Sequence, residues 1–206
     1  MADDDDHHLR RVLRLRVGDP LSIGDGSGRW RPARLTATGV EPTDDVATWD
    51  RPAPMLTVAF ALTKGDKPEL VVQKLTELGV DRIVPLRAAR SVVRWDAAKE
   101  AKALERLRLV ARAAAMQSHR PILPEVAPIA DLATLACQPG VALADRTGAP
   151  PSLAHTTIAV GPEGGWDDAE RALDLPVVAL GAHVLRAETA AVTVGALWTA
   201  LRDQLV

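Results

Sequence analysis

The chain has 206 residues, 47% hydrophobic and 25% charged, which is an ordinary globular composition with enough length for a sizeable core. A lone cysteine, Cys137, excludes a disulfide scaffold and a multi-cysteine zinc site. No apolar run reaches bilayer-spanning length and no basic-then-apolar leader opens the chain, so a cytoplasmic location without membrane or metal is expected. The formal net charge of −2 hides opposing blocks: +5 between His7 and Arg34, +7 from Arg82 to Arg120, and −6 over Pro121–Glu170.

Along the chain, Val12–Val17 alternates apolar and basic residues with period two and is expected to be a strand, broken by Gly18-Asp-Pro20. Asp25-Gly26 sits where a hairpin would turn, Arg29–Leu35 alternates again, and Met55–Leu62 is a continuous apolar strand. Glu41–Pro54 has three prolines and no periodicity, so it is expected to be a loop. Residues 1–62 thus form a small β unit. From Lys64 the pattern changes. Asp66-Lys-Pro-Glu69 has the form of a capping box, opening a helix with Val71, Val72, Leu75 and Leu78 on one face and Gly79 at its end. Arg82–Leu86 is a buried strand, and Asp96 caps a long helix to about Gln117. Strands are expected at Ile122–Val126, Val141–Ala144, Thr157–Val160 and Val177–Leu180, with helices near Ile129–Ala136, Asp167–Leu173 and Thr189–Leu205. Such alternation means a mostly parallel sheet covered on both faces, so 63–206 is expected to be an α/β domain.

Three strand ends run into small-residue loops: Arg146–Gly148, Gly161-Pro-Glu-Gly-Gly165, and Gly181–Thr189. Neighbouring strand ends of this kind build a crevice for a polar small molecule. Neither a Walker loop nor GxGxxG spacing is present, and the pentapeptide could equally be a tight strand-to-helix turn. In the third loop, Arg186 could hold an anionic or carbonyl group and Glu188 a cation or proton, or the two could pair at the surface; Thr189 could cap the last helix. Arginine outnumbers lysine twenty to five, and its planar fork suits phosphate. The two basic blocks therefore point to a nucleic-acid partner, the alternative being a solvated surface.

These residues resemble a known family. Gly161-Pro-Glu-Gly-Gly165, Leu180-Gly181 and Leu185–Ala190 are similar to the 16S ribosomal RNA uridine-N3 methyltransferases of the SPOUT superfamily. Further matches follow in order: His8–Arg14 with Gly18-Asp19, Lys64-Gly65-Asp66-Lys67, Lys74–Gly79, Arg90-Ser91 and Gln117–Arg120. The resemblance implies a PUA-like β-barrel followed by an α/β domain with a deep trefoil knot, S-adenosylmethionine as cofactor, the small ribosomal subunit as partner, and a homodimer. It implies cofactor contacts from Val160, Gly161, Gly164, Gly165, Leu180, Gly181, Leu185 and Ala190. RNA contacts would come from Arg11, Arg14, Arg90, Arg94 and Arg120. For the methyl transfer, Arg186 or Arg120 is expected to steady negative charge on uracil, and Glu188 or Glu163 to accept the N3 proton.

The sequence departs from the family pattern at His183, where arginine is usual, and at Met116, where glutamate is common. Family members usually carry a further strand before the His-His-Leu motif, where this sequence has an aspartate run, so the expectation is either an incomplete barrel or a trimmed chain. Three other readings compete. One is a SPOUT enzyme acting on a ribose hydroxyl or a transfer RNA; another is a non-catalytic RNA-binding assembly factor; the last is a Rossmann-type nucleotide-binding enzyme, whose glycine fingerprint and acidic ribose clamp are missing.

Overall fold

The computed structural model describes residues 8–93 and 95–206, and divides into two compact units at Arg51/Pro52. In the first, a π-helical turn, His8–Val12, precedes β1 (Pro20–Gly24) and β2 (Arg29–Leu35). Strand β2 pairs antiparallel with β1, with β3 (Val40–Pro42) and with β4 (Ala47–Thr48). The hairpin turn falls at Asp25-Gly26 as expected, because the Asp25 carboxylate accepts the backbone N–H groups of Ser27 at 2.7 Å and Arg29 at 3.2 Å.

Two expectations fail in this unit. Val12–Val17 is no strand: Arg14 takes a left-handed φ of 56°, and Leu13 and Val17 are exposed. Alternation specifies a strand only where one face is buried, and here Leu13 and Val17 face solvent as Arg14 and Arg16 do. Conversely, β4 and all of β3 but Val40 lie inside the expected loop Glu41–Pro54. They are short edge partners of β2, too brief to leave a periodic signal.

The second unit holds six parallel strands in the order β10-β8-β9-β5-β6-β7. These are β5 (Thr57–Ala61), β6 (Arg82–Leu86), β7 (Glu125–Val126), β8 (Val141–Ala149), β9 (Thr157–Val160) and β10 (Val177–Val178). Here β5 lies at the centre, so the expected boundary after Leu62 moves back to Arg51/Pro52. The reason is physical: β5 is buried at every position, the signature of a central parallel strand rather than of a half-solvated antiparallel one.

Side chains of β5 alternate between two cores. Val58 and Phe60 join Val71, Val72, Leu75, Val194 and Trp198, while Ala59 and Ala61 join Leu132, Leu135 and Trp166. Helix α1 (Lys67–Glu77) packs against both α2 (Ala97–Gln117) and α5 (Ala187–Arg202), and α5 lies on β5 and β9. The short helices α3 (Leu132–Ala136) and α4 (Asp168–Arg171) complete the unit.

Local signals held unevenly. Asp96 caps α2 by accepting the Lys99 N–H at 2.8 Å. Asp66 makes no such bond, and the expected capping box is absent because Glu69 instead pairs with Arg106, accepting from Nη2 at 2.9 Å. Strand β8 continues through the expected Arg146–Gly148 loop to Ala149, beside β10. A Cβ on Gly148 would overlap the backbone of Val178, so only glycine admits the crossing. Gly148→Val is therefore expected to destabilise the fold by about 1–3 kcal/mol or more, read as a lower urea midpoint at unchanged m.

At the opposite end of the sheet, Asp81 precedes β6 and is 2% exposed. Its Oδ2 accepts the Leu56 N–H at 2.9 Å and Arg202 Nη1 at 2.8 Å, and Arg120 Nη2 lies 3.7 Å from Oδ1. This carboxylate joins the start of β5, the start of β6 and the end of α5. Asp81→Ala removes the anion facing a guanidinium that is only 3% exposed, and is expected to cost about 3–5 kcal/mol in chemical denaturation.

Candidate active site

Because all six strands run the same way, their C-terminal ends share one edge of the sheet, and the loops leaving that edge carry most of the singled-out residues. Val160 ends β9 and is 3% exposed. Gly161–Gly165 follows, closed by a bond from the Gly165 N–H to the Pro162 carbonyl at 2.8 Å with Gly165 at φ +70°. A Cβ on Gly161 would come within 2.9 Å of the buried Trp166 ring, so the loop lies flat on that indole. Asp167 and Glu170 then form a capping box, starting α4.

Glu170 does a second job. Its Oε2 accepts the Asp167 N–H at 2.9 Å, while its Oε1 accepts the Ala89 N–H at 2.8 Å. The loop after β6 is thus fastened to the glycine loop, and beside it Arg90 Nη1 donates to the Gly164 carbonyl at 3.2 Å. Arg90, expected to meet RNA, therefore stands against the glycine loop.

Between β10 and α5, Leu180 and Leu185 are half-buried against the core, and Gly181 has φ +150° with open space where a Cβ would stand. Ala190 is 9% exposed and packs within the core face of α5. The helix begins at Ala187 with Arg186 as its N-cap residue, so Thr189 lies inside the first turn rather than capping it. Arg186 is exposed and makes no side-chain capping bond.

Glu188 and Lys67 form the electrostatic centre of this edge. Lys67 Nζ lies 3.1 Å from Glu188 Oε1 and 3.5 Å from Glu163 Oε1. The side chain of Glu188 is 15% exposed and that of Glu163 is 64% exposed. Oε2 of Glu188 is buried with no hydrogen-bond partner, and so are the hydroxyls of Thr63 and Ser91, which follow β5 and β6 at the same edge. Burial pushes the Glu188 carboxyl up, but its own backbone N–H, the Lys67 ammonium and Arg186 outweigh burial and hold it below its usual value. Reciprocally, the hydrogen bond to Glu188 raises Lys67 against the effect of burial.

Other expected residues lie elsewhere. Arg120 donates from Nη1 to the Thr76 carbonyl at 3.0 Å and faces Asp81. That is the far end of β6, whose five residues span about 16 Å. Within one chain, Arg120 does not meet Glu188. Arg11 and Arg14 are exposed in the first unit, and Arg94 falls outside the described residues. Among the described residues no cluster of histidine, cysteine or carboxylate side chains could hold a metal ion, and no helix is long and apolar enough to cross a membrane. Sequence reasoning missed Lys67, Glu170, Thr63 and Ser91 as parts of the site. Lys67 and Ser91 had a signal, their places in the Lys64–Lys67 and Arg90-Ser91 motifs; Glu170 and Thr63 had none.

Comparison with known proteins gives the family. Residues 51–199 match the family described as RNA methyltransferase domain, and residues 2–39 match the RNA methyltransferase PUA domain. The ribosomal RNA small subunit methyltransferase E of Mycobacterium bovis is 34% identical, over 94% of this chain and 83% of its own. The Bacillus subtilis protein of that name is 31% identical, over 89% and 82%. The crystal structure of ribosomal RNA small subunit methyltransferase E from Neisseria gonorrhoeae, bound to S-adenosyl methionine, superposes with a TM-score of 0.84 at 29% identity, over 98% of this chain and 90% of that one. With a PUA-like N-terminal domain, a parallel α/β unit and relatives aligned along nearly its whole length, the chain belongs to the RNA methyltransferase family of the ribosomal RNA small subunit methyltransferases E.

Proposed function

We propose that this chain methylates N3 of a uridine in the 16S RNA of the small ribosomal subunit, in the cytoplasm, with S-adenosylmethionine as donor. The observation that carries the mechanism is the buried, unpartnered Oε2 of Glu188 at the strand edge that also bears the glycine loop. The edge suits the cofactor: open space beside Gly181, apolar walls from Val160, Leu180 and Leu185, and a loop flattened by Gly161, Gly164 and Gly165. When bound, S-adenosylmethionine supplies an electrophilic methyl group whose bonding pair returns to sulfur as the new N–C bond forms.

The remaining work falls to side chains. Uridine N3 is a poor nucleophile until its proton leaves. Glu188 accepts that proton on Oε2; Glu163, mostly in water, is the weaker candidate because a solvated carboxylate gains nothing from the site. Arg186, exposed at the mouth of the same loop, donates to a uracil oxygen as negative charge develops. Arg120 is committed to Asp81 and is the weaker candidate for that role. Arg11, Arg14 and Arg90 hold RNA phosphate or the extracted base, since chemistry on a base requires unstacking it. A homodimer and the trefoil knot belong to the same reading, the knot running through the β8–β10 crossing at Gly148.

Labelled methyl transfer to small subunits, followed by mass spectrometry of the digested RNA, tests the assignment. A product methylated on ribose, or no cofactor binding in calorimetry, would reject it. Glu188→Gln is expected to slow single-turnover transfer by about 10²–10⁴-fold with cofactor affinity retained, while Glu163→Gln stays near the normal rate. Gly161→Val, which drives a side chain into Trp166, is expected to weaken cofactor binding about tenfold or more in calorimetry.

A further inference from the structure

Lys67 has no part in the steps just described, yet its position is costly to explain otherwise. It opens α1, where a cation is disfavoured by the positive end of the helix, so α1 gains nothing from it. Its 3.5 Å contact with Glu163 joins a largely exposed carboxylate and contributes little. The 3.1 Å contact with Glu188 is different, because that side chain is only 15% exposed. Lys67 takes Oε1 and leaves Oε2 buried without a partner.

Three charged groups bear on the Glu188 carboxyl: Lys67 from α1, Arg186 at the start of its own helix, and Glu163 of the glycine loop through Lys67. Burial alone would favour the neutral acid, which cannot take a proton. Of the two cations, Lys67 is the one in contact with the carboxylate and drawn from a different element.

We propose that Lys67 is a positioning residue for methyl transfer: by pairing with Oε1 it holds Glu188 as an anion in one orientation, with Oε2 left to receive the N3 proton of uracil. This rests on Glu188 being the proton acceptor. In the step, the N3–H pair stays on nitrogen to form the bond to methyl, and the proton ends on Oε2, from which it returns to solvent after product leaves. Since pairing lowers the Glu188 carboxyl, its anionic form persists as pH falls through the usual carboxylate range. Without Lys67 that form is lost at higher pH.

The test compares the full-length protein with Lys67→Met, Lys67→Gln, Lys67→Arg, Glu163→Gln and Glu188→Gln. Two readouts are followed with pH: carboxyl carbon-13 NMR of Glu188 without cofactor, and single-turnover transfer to small subunits. Lys67→Met and Lys67→Gln are expected to move the Glu188 titration and the acidic limb of the rate to higher pH. The rate should fall at the acidic end of the profile, by about tenfold or more at its lowest pH, and recover towards alkaline pH. Lys67→Arg should restore most of the wild-type profile, and Glu163→Gln, which reaches the pair only through Lys67, should move it far less than the neutral Lys67 variants. If both neutral variants titrate and react as wild type while Glu188→Gln is impaired, Lys67 has no such role. If Glu188→Gln itself reacts normally, the acceptor assignment fails and this inference with it.

Discussion

The parallel pairing of β9 with β5, Thr57 to Thr157 through Phe60 to Val160, is the constraint from which the rest follows. Parallel neighbours cannot be joined by hairpins, so each strand must leave the sheet and return through a crossover. Every departure then happens at one edge and every return at the other. The glycine loop, the Arg90 loop, the start of α1 and the loop before α5 meet at the departing edge because direction, rather than sequence proximity, puts them there. Lys67 and Glu188 are 121 residues apart by number yet lie 3.1 Å apart.

The two edges treat their buried carboxylates in opposite ways. At the returning edge, Asp81 meets a backbone N–H and two guanidinium groups, and its partner Arg202 also donates to the Gly79 carbonyl at 3.3 Å. Such a group is closed to ligands and serves to pin helix ends to strand starts. At the departing edge, Glu188 Oε2 and the hydroxyls of Thr63 and Ser91 lack partners despite burial. A buried polar atom left unsatisfied costs roughly 1–3 kcal/mol, so three at one edge mark a place where the fold forgoes stability. A ligand that supplies the missing bonds recovers it.

Much of this was legible in the chain. The alternation of helix and strand after Lys64, the Asp96 cap and the glycine loop each rest on local signals, and local signals survive folding. Asp66-Lys-Pro-Glu69 misled because a distant arginine outcompeted the cap. Val12–Val17 misled because its alternation marks no buried face: Leu13 and Val17 are exposed, as are the arginines between them. The boundary after Leu62 misled because an apolar run reads alike in either kind of sheet, and only its partners decide. Lys67 could be seen as part of a motif, but its reach to Glu188 depends on how α1 and α5 pack, which no spacing in the sequence encodes.

The arginine excess shows the same limit. Twenty arginines, fifteen of them in two basic blocks, argued for an RNA partner, yet several are spent inside the protein. Arg120 and Arg202 neutralise Asp81, Arg106 holds Glu69, and Arg87 pairs with Glu100. What separates a phosphate-binding arginine from a structural one is whether its fork is already filled by protein. Arg186 and Arg14 stand exposed, while the side chain of Arg120 is only 12% exposed. A basic block therefore bounds where RNA can lie, and burial within the block decides which of its arginines can reach it.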